Sequence, residues 1–224
     1  MPAIYYLAYL QQNKLKCAFY YLIASITYLA VIFTECRSGI LTGLTIGIIC
    51  TFILCVKAKQ KHFYKVFCIA FALIIMVFIL IFKENIYKLF ESLFRAGLSD
   101  SSRFNIWKNA LNEYKNHPLF GMGFYASQIG SYTQFLPGFY HNTVVEILSC
   151  CGAITLAIYV VYRFLTVKLM LTNFNLGKMF LSLMILAIIS TSLVDNTIFN
   201  IYPTFFYSLI LALLERESIS QKEI

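Results

Sequence analysis

The sequence predicts an all-α integral membrane protein of about six transmembrane helices, with one long extracytoplasmic loop that contains a short helix. Three observations lead there. Apolar residues make up 60% of the 224-residue chain and charged ones only 12%, where a soluble domain carries about 25% charged residues. Apolar runs nearly free of charge approach the ~20 residues that cross a bilayer. Aromatic residues reach 17%, and such rings favour membrane–water interfaces.

The runs that predict spans are 17–34, 38–56, 66–82, 142–162, 179–194 and 197–214, and of these only the fourth holds a formal charge, Glu146. The apolar stretch 163–178 either lengthens span four or forms an interfacial helix. Orientation follows from Lys and Arg in the short connections, which accumulate on the cytoplasmic side. One set of connections holds Lys14, Lys16, four lysines in 57–65, Arg163, Lys168, Lys178, Arg216 and Lys222; the opposite short loops hold only Arg37. That bias places both ends inside. The chain then divides into spans one to three (1–82), an extracytoplasmic loop (83–141) and spans four to six with a cytoplasmic tail (142–224).

A net charge of +8 in a soluble protein would suggest nucleic acid. Here the positive charge lies mostly between apolar runs, so membrane orientation accounts for it and no nucleic-acid partner is expected. Six of the seven cysteines sit in or beside apolar runs, without CxxC or Cys/His spacing, and read as small apolar fillers. Only Cys36 is expected near the outer face. The opening Met1-Pro2-Ala3-Ile4-Tyr5-Tyr6-Leu7 lacks the basic region of a signal peptide and reads as the tail of an earlier helix.

Within the loop, Asp100-Ser101-Ser102 offers helix-capping side chains. Phe104, Trp107, Ala110, Leu111 and Tyr114 then recur at the spacing of one helical face. Asn116-His117-Pro118 ends that helix, because proline disfavours helical geometry in the residue before it. Gly121-Met122-Gly123 supplies a tight turn. The expected element is a short helix on the outer membrane surface, aromatic side towards the spans.

Three residues expected on the outer side carry candidate chemistry. Arg37 lies in the turn between spans one and two, where an interfacial anchor is the simpler reading. Arg103 opens the loop helix, and a cation there opposes the helix dipole. An anionic ligand would reverse that balance, since free backbone N–H groups and a guanidinium fork both favour phosphate. His141, at the entry to span four, reads either as an interfacial histidine or as a general base. Glu146, inside that span, is a functional candidate by position, although several residues of helix separate it from His141. His62 and His117 lie elsewhere, so no metal site is expected.

Arg37-Ser38-Gly39, Arg103-Phe104-Asn105-Ile106-Trp107, His117-Pro118-Leu119-Phe120-Gly121-Met122-Gly123 and His141-Asn142 follow one another across this layout. In order and topology they resemble the O-antigen ligase and Wzy-type polysaccharide polymerase family, over roughly residues 34–214. The resemblance implies a bacterial cytoplasmic-membrane glycosyltransferase with its active face outside. It implies inverting, metal-independent transfer, without cofactor, from an undecaprenyl-pyrophosphate-linked glycan to a lipid- or glycan-bearing acceptor. Arg37 and Arg103 would hold the pyrophosphate and His141 would act on the acceptor hydroxyl, with Glu146 and Asn142 in support. The match is to the C-terminal half of such proteins, which implies a fragment, a reduced relative or one piece of a split protein. Two other readings stand beside it, a transporter or flippase fragment and a non-catalytic truncated remnant. Transporters line a midplane pathway with polar groups, whereas the basic residues here gather at the faces.

Overall fold

The computed structural model describes residues 1–33, 36–59, 61–81, 83, 84, 87, 91, 103–123, 140–194 and 199–220. Among them the chain is all-helical: α1 (Pro2–Leu10), α2 (Lys14–Phe33), α3 (Arg37–Lys57), α4 (Lys61–Ile81), α5 (Arg103–Asn116), α6 (Thr143–Leu171), α7 (Leu176–Ser192) and α8 (Ile201–Ser220). They form two compact units, Met1–Ser99 and Asp100–Ile224. The capping residues 100–102, the acidic residues Glu35 and Asp195, and most of 83–141 outside α5 and its following turn lie outside the described residues.

Among the described residues, three helices are long and apolar enough to cross a membrane, Lys14–Val31 within α2, Ser38–Lys57 within α3, and α6; α7 is apolar but shorter. Their outward faces are apolar too, for Phe19, Leu41, Phe52, Ile158 and Phe164 are each more than half exposed. Water would drive such surfaces into association, whereas lipid tails are as apolar as the side chains themselves. This is a membrane protein. The spans expected at 66–82, 179–194 and 197–214 fall on α4, α7 and α8.

In the first unit α3 packs on α1, α2 and α4. Gly43 is where the approach is tight, whereas Gly39 and Gly47 would meet only ordinary van der Waals neighbours. A Cβ at Gly43 would come 3.2 Å from the Tyr28 ring, and one at Gly47 3.8 Å from Tyr5 Oη. Small residues at four-residue spacing let helices meet closely where lipid offers no hydrophobic driving force. Tyr64, almost wholly enclosed, donates its hydroxyl to the Ala8 carbonyl at 2.9 Å, satisfying a C-terminal acceptor of α1. Tyr21 packs edge-on against Tyr5 and Phe67, and its hydroxyl shares a hydrogen bond with Thr51 Oγ1 at 3.2 Å.

In the second unit α6 runs on to Leu171, so of the two readings of the stretch after 162 the longer span four holds as far as that residue. Arg163 and Lys168 therefore lie within the helix rather than in a connecting loop. The Arg163 guanidinium stacks over Tyr159, Tyr162 and Tyr207 at 4.6, 5.6 and 5.0 Å and donates to Tyr207 Oη, so the cation has an aromatic surround. Lys178 is not a loop charge either. It is buried in the first turns of α7, its Nζ donating to the carbonyls of Leu169 and Thr172. A cation at a helix C-terminus complements both the dipole and the orphan carbonyls. Asn175 caps α7 by accepting from Lys178 N at 2.7 Å. Met170, Leu181, Ile185, Tyr207, Ile210 and Leu214 form the core between α6, α7 and α8.

Candidate active site

The second unit holds Arg103 and His141 on elements that pack together, α5 and α6. Arg103 is the first residue of α5. The half-buried and buried positions 103, 106, 107, 110, 113 and 114 form one stripe along that helix. Ile106, Trp107 and Ala110 pack with Tyr140, Val145, Cys150 and Cys151. The expected face included Phe104 and Leu111, and both are exposed instead. The stripe facing α6 is rotated from the aromatic one, and Trp107, Ala110 and Tyr114 are common to both.

Past α5 the chain turns sharply. His117 N donates to the carbonyls of Glu113 and Tyr114, and the His117 carbonyl accepts from Gly121 N at 2.9 Å. The turn then docks into an interruption of α6. Gly152 breaks the helix with φ 78° and ψ −178°, a region open essentially to glycine. Met122 N and Gly123 N donate to the carbonyls of Ser149 and Cys150 at 3.0 and 2.9 Å. On the far side of the break, Ala153 N and Ile154 N donate to the carbonyls of Pro118 and Leu119 at 2.9 and 3.4 Å. Backbone groups that a helix break would strand are thereby paired, as an apolar medium requires. A Cβ on Gly152 would overlap the Leu119 carbonyl, and one on Gly121 would overlap the Cys150 carbonyl.

His141 sits just ahead of α6 in the left-handed region, φ 52°, which few non-glycine residues adopt. Both neighbours hold it there. Asn142 caps α6, its Oδ1 accepting from Val144 N and Val145 N at 2.9 and 3.1 Å, while its Nδ2 donates to the Leu193 carbonyl at 2.8 Å. On the other side, Tyr140 N donates to Glu146 Oε2 at 2.9 Å and the Tyr140 carbonyl accepts from Trp107 Nε1 at 2.7 Å. Glu146 is almost completely buried. Burial pushes the Tyr140 phenol above its ordinary range, so its hydroxyl stays protonated and donates towards Met122 Sδ at 3.9 Å. Among the described residues no group of three His, Cys, Asp or Glu is placed to hold a metal ion.

Arg37 belongs to the first unit, as the first residue of α3 after the N-cap Cys36; its side chain lies outside the described residues. All three candidate residues thus stand at helix N-termini: Arg37 and Arg103 as first residues, His141 one residue ahead of a cap. Sequence reasoning missed the bond from the Trp107 indole N–H to the Tyr140 carbonyl and the one from Tyr140 N to Glu146, and it missed the break at Gly152.

Comparison with known families decides the lineage, for the O-antigen ligase family model matches residues 21–160. The chain belongs to the O-antigen ligase family. The match takes in Arg37, Arg103, the His117–Gly123 turn, His141, Glu146 and the break in α6, and stops short of α7 and α8. Membership implies O-antigen ligase- or polymerase-type activity on lipid-linked glycans, carried by a membrane protein. No curated protein and no solved structure matches this family member.

Proposed function

We propose that this protein is a glycosyltransferase that polymerises or ligates surface-polysaccharide units from an undecaprenyl-pyrophosphate-linked donor. The observation that carries the reading is the 2.7 Å bond from Trp107 to the Tyr140 carbonyl. It ties the helix that begins with Arg103 to the segment that carries His141, on residues matched by the family. Family membership supports the reaction class, and the N-terminal placement of both arginines supports an anionic ligand. A cation opposes a helix dipole unless an anion joins it, and free N–H groups there favour phosphate.

In this reading the acceptor hydroxyl attacks the anomeric carbon of the donor with inversion. The bond to the lipid pyrophosphate breaks, and its oxygen leaves as an anion. His141 takes the hydroxyl proton, a role that typically contributes about 10²–10⁴-fold. Arg103 holds the departing pyrophosphate, compensating its charge without a metal; the same role for Arg37 rests on the family resemblance alone. Asn142 and Glu146 support the histidine. In this reading the chain has six spans with both ends cytoplasmic, and the chemistry is on the extracytoplasmic face of a bacterial cytoplasmic membrane, an orientation supported by the Lys and Arg bias of the short connections. The loop 83–141 lies outside in that layout.

The test is made in the producing cell. Arg103→Ala and His141→Ala should each abolish surface polymer while the protein remains in the membrane. Arg103→Lys should also be strongly impaired, because lysine lacks the planar fork. Normal polymer lengths in the Arg103→Ala and His141→Ala cells would refute the assignment.

A further inference from the structure

We infer that Trp107 and Glu146 are positioning residues that act on His141 through the Tyr140 peptide. The inference rests on the reading of His141 as the base. Neither side chain needs to touch substrate. Trp107 Nε1 holds the carbonyl of Tyr140 at 2.7 Å, and Glu146 Oε2 holds its N–H at 2.9 Å. The two bonds grip opposite edges of neighbouring peptide planes, one from α5 and one from the first turn of α6. The carbonyl of Tyr140 belongs to the peptide that leads into His141, so fixing that plane restricts the φ of His141.

That restriction matters because φ at His141 is 52°. The left-handed region is unfavourable for an L-residue against the right-handed basin, so the strain persists only where the surroundings over-determine it. Asn142 supplies one constraint from the C-terminal side, as the cap of α6. The Trp107–Tyr140–Glu146 clamp supplies the other from the N-terminal side. Glu146 has little freedom to do otherwise, being almost fully buried with Cys150 Sγ near its second oxygen. Trp107 stands one turn beyond Arg103 on the same face of α5. The clamp therefore also sets the arginine-bearing helix against the histidine, and a shift of either one displaces the other.

The chain has three histidines, so ring-labelled histidine in the full-length protein in detergent gives few resonances, and His141→Ala identifies the one of interest. In Glu146→Gln the amide oxygen still accepts from Tyr140 N. Glu146→Leu removes the acceptor at similar volume, and Trp107→Phe removes the donor while keeping a ring. The His141 resonance should move in Glu146→Leu and Trp107→Phe and stay near its original position in Glu146→Gln. Polymer formation in cells should follow the same order, with at least a tenfold loss in the first two and restoration in the third. An unmoved His141 resonance in Glu146→Leu and Trp107→Phe would overturn the clamp, as would Glu146→Gln moving it as far as Glu146→Leu. If His141→Ala leaves polymer intact, the base assignment fails while the resonances still judge the clamp. If His141→Ala abolishes polymer and the resonances stay put, the clamp alone fails.

Discussion

Replacing Gly152 by alanine should unseat the His117–Gly123 turn from α6. The new Cβ would overlap the Leu119 carbonyl and lie 2.6 Å from Gly121 N. These are backbone atoms of a tight turn, so no flexible side chain can move aside. Holding alanine at φ 78° and ψ −178° costs about 1–3 kcal/mol. Relief comes only by lifting the turn, which gives up the four bonds made by Met122 N, Gly123 N, Ala153 N and Ile154 N. Each contributes about 1 kcal/mol net, so the combined loss is about 5 kcal/mol. For a chain of this size that lowers Tm by about 10–20 °C. Gly123→Ala is the control: its φ is 88°, yet nothing lies within 4 Å of the added Cβ. Backbone strain alone, about 1–2 kcal/mol, should shift Tm by only a few degrees. The single tryptophan of the chain is Trp107, packed in the cluster next to the turn, so its emission reports melting in detergent without a label. Equal Tm values for the two variants would refute the reasoning.

Two further outcomes follow from the caps. Asn142→Ala removes both accepted N–H bonds and the tie to Leu193, and should destabilise the second unit by about 1–2 kcal/mol. Trp107 emission during thermal unfolding checks it, and Asn142→Asp should recover the capping share alone. Lys178→Met leaves the Leu169 and Thr172 carbonyls without their charged donor. A loss of about 3 kcal/mol should appear as faster proteolysis at the connection between α6 and α7.

Much of the second unit is legible in the sequence because local chemistry decides it. The end of α5 at Asn116 follows from Pro118, and the positive φ of Gly121 and Gly123 suits a turn glycine. The packing face of α5 is not legible. Phe104 and Leu111 look like core residues, yet α6 contacts a stripe rotated away from them. The break at Gly152 is hidden for a similar reason: Cys150-Cys151-Gly152-Ala153 reads as uninterrupted apolar helix. Only the arrival of a segment remote in sequence makes an interruption affordable there. Glu146 is identifiable as a membrane carboxylate, but its route to His141 runs backward through the Tyr140 peptide and has no sequence signature. The sequence leaves two readings of the stretch after 162, because Arg163 looks like a span boundary; the helix continues through it, and three tyrosines accommodate the charge.

Hydropathy overstates the independence of α6. Its apolar length is that of a segment ready to enter lipid by itself, yet its ladder is completed by residues synthesised earlier. Cut out of the chain, the same stretch would expose two carbonyls and two amides to hydrocarbon, where each orphan costs several kcal/mol. It would have to straighten at Gly152 or remain near the interface. The helix and the His117–Gly123 turn therefore form one hydrogen-bonded unit, and neither has its backbone satisfied without the other.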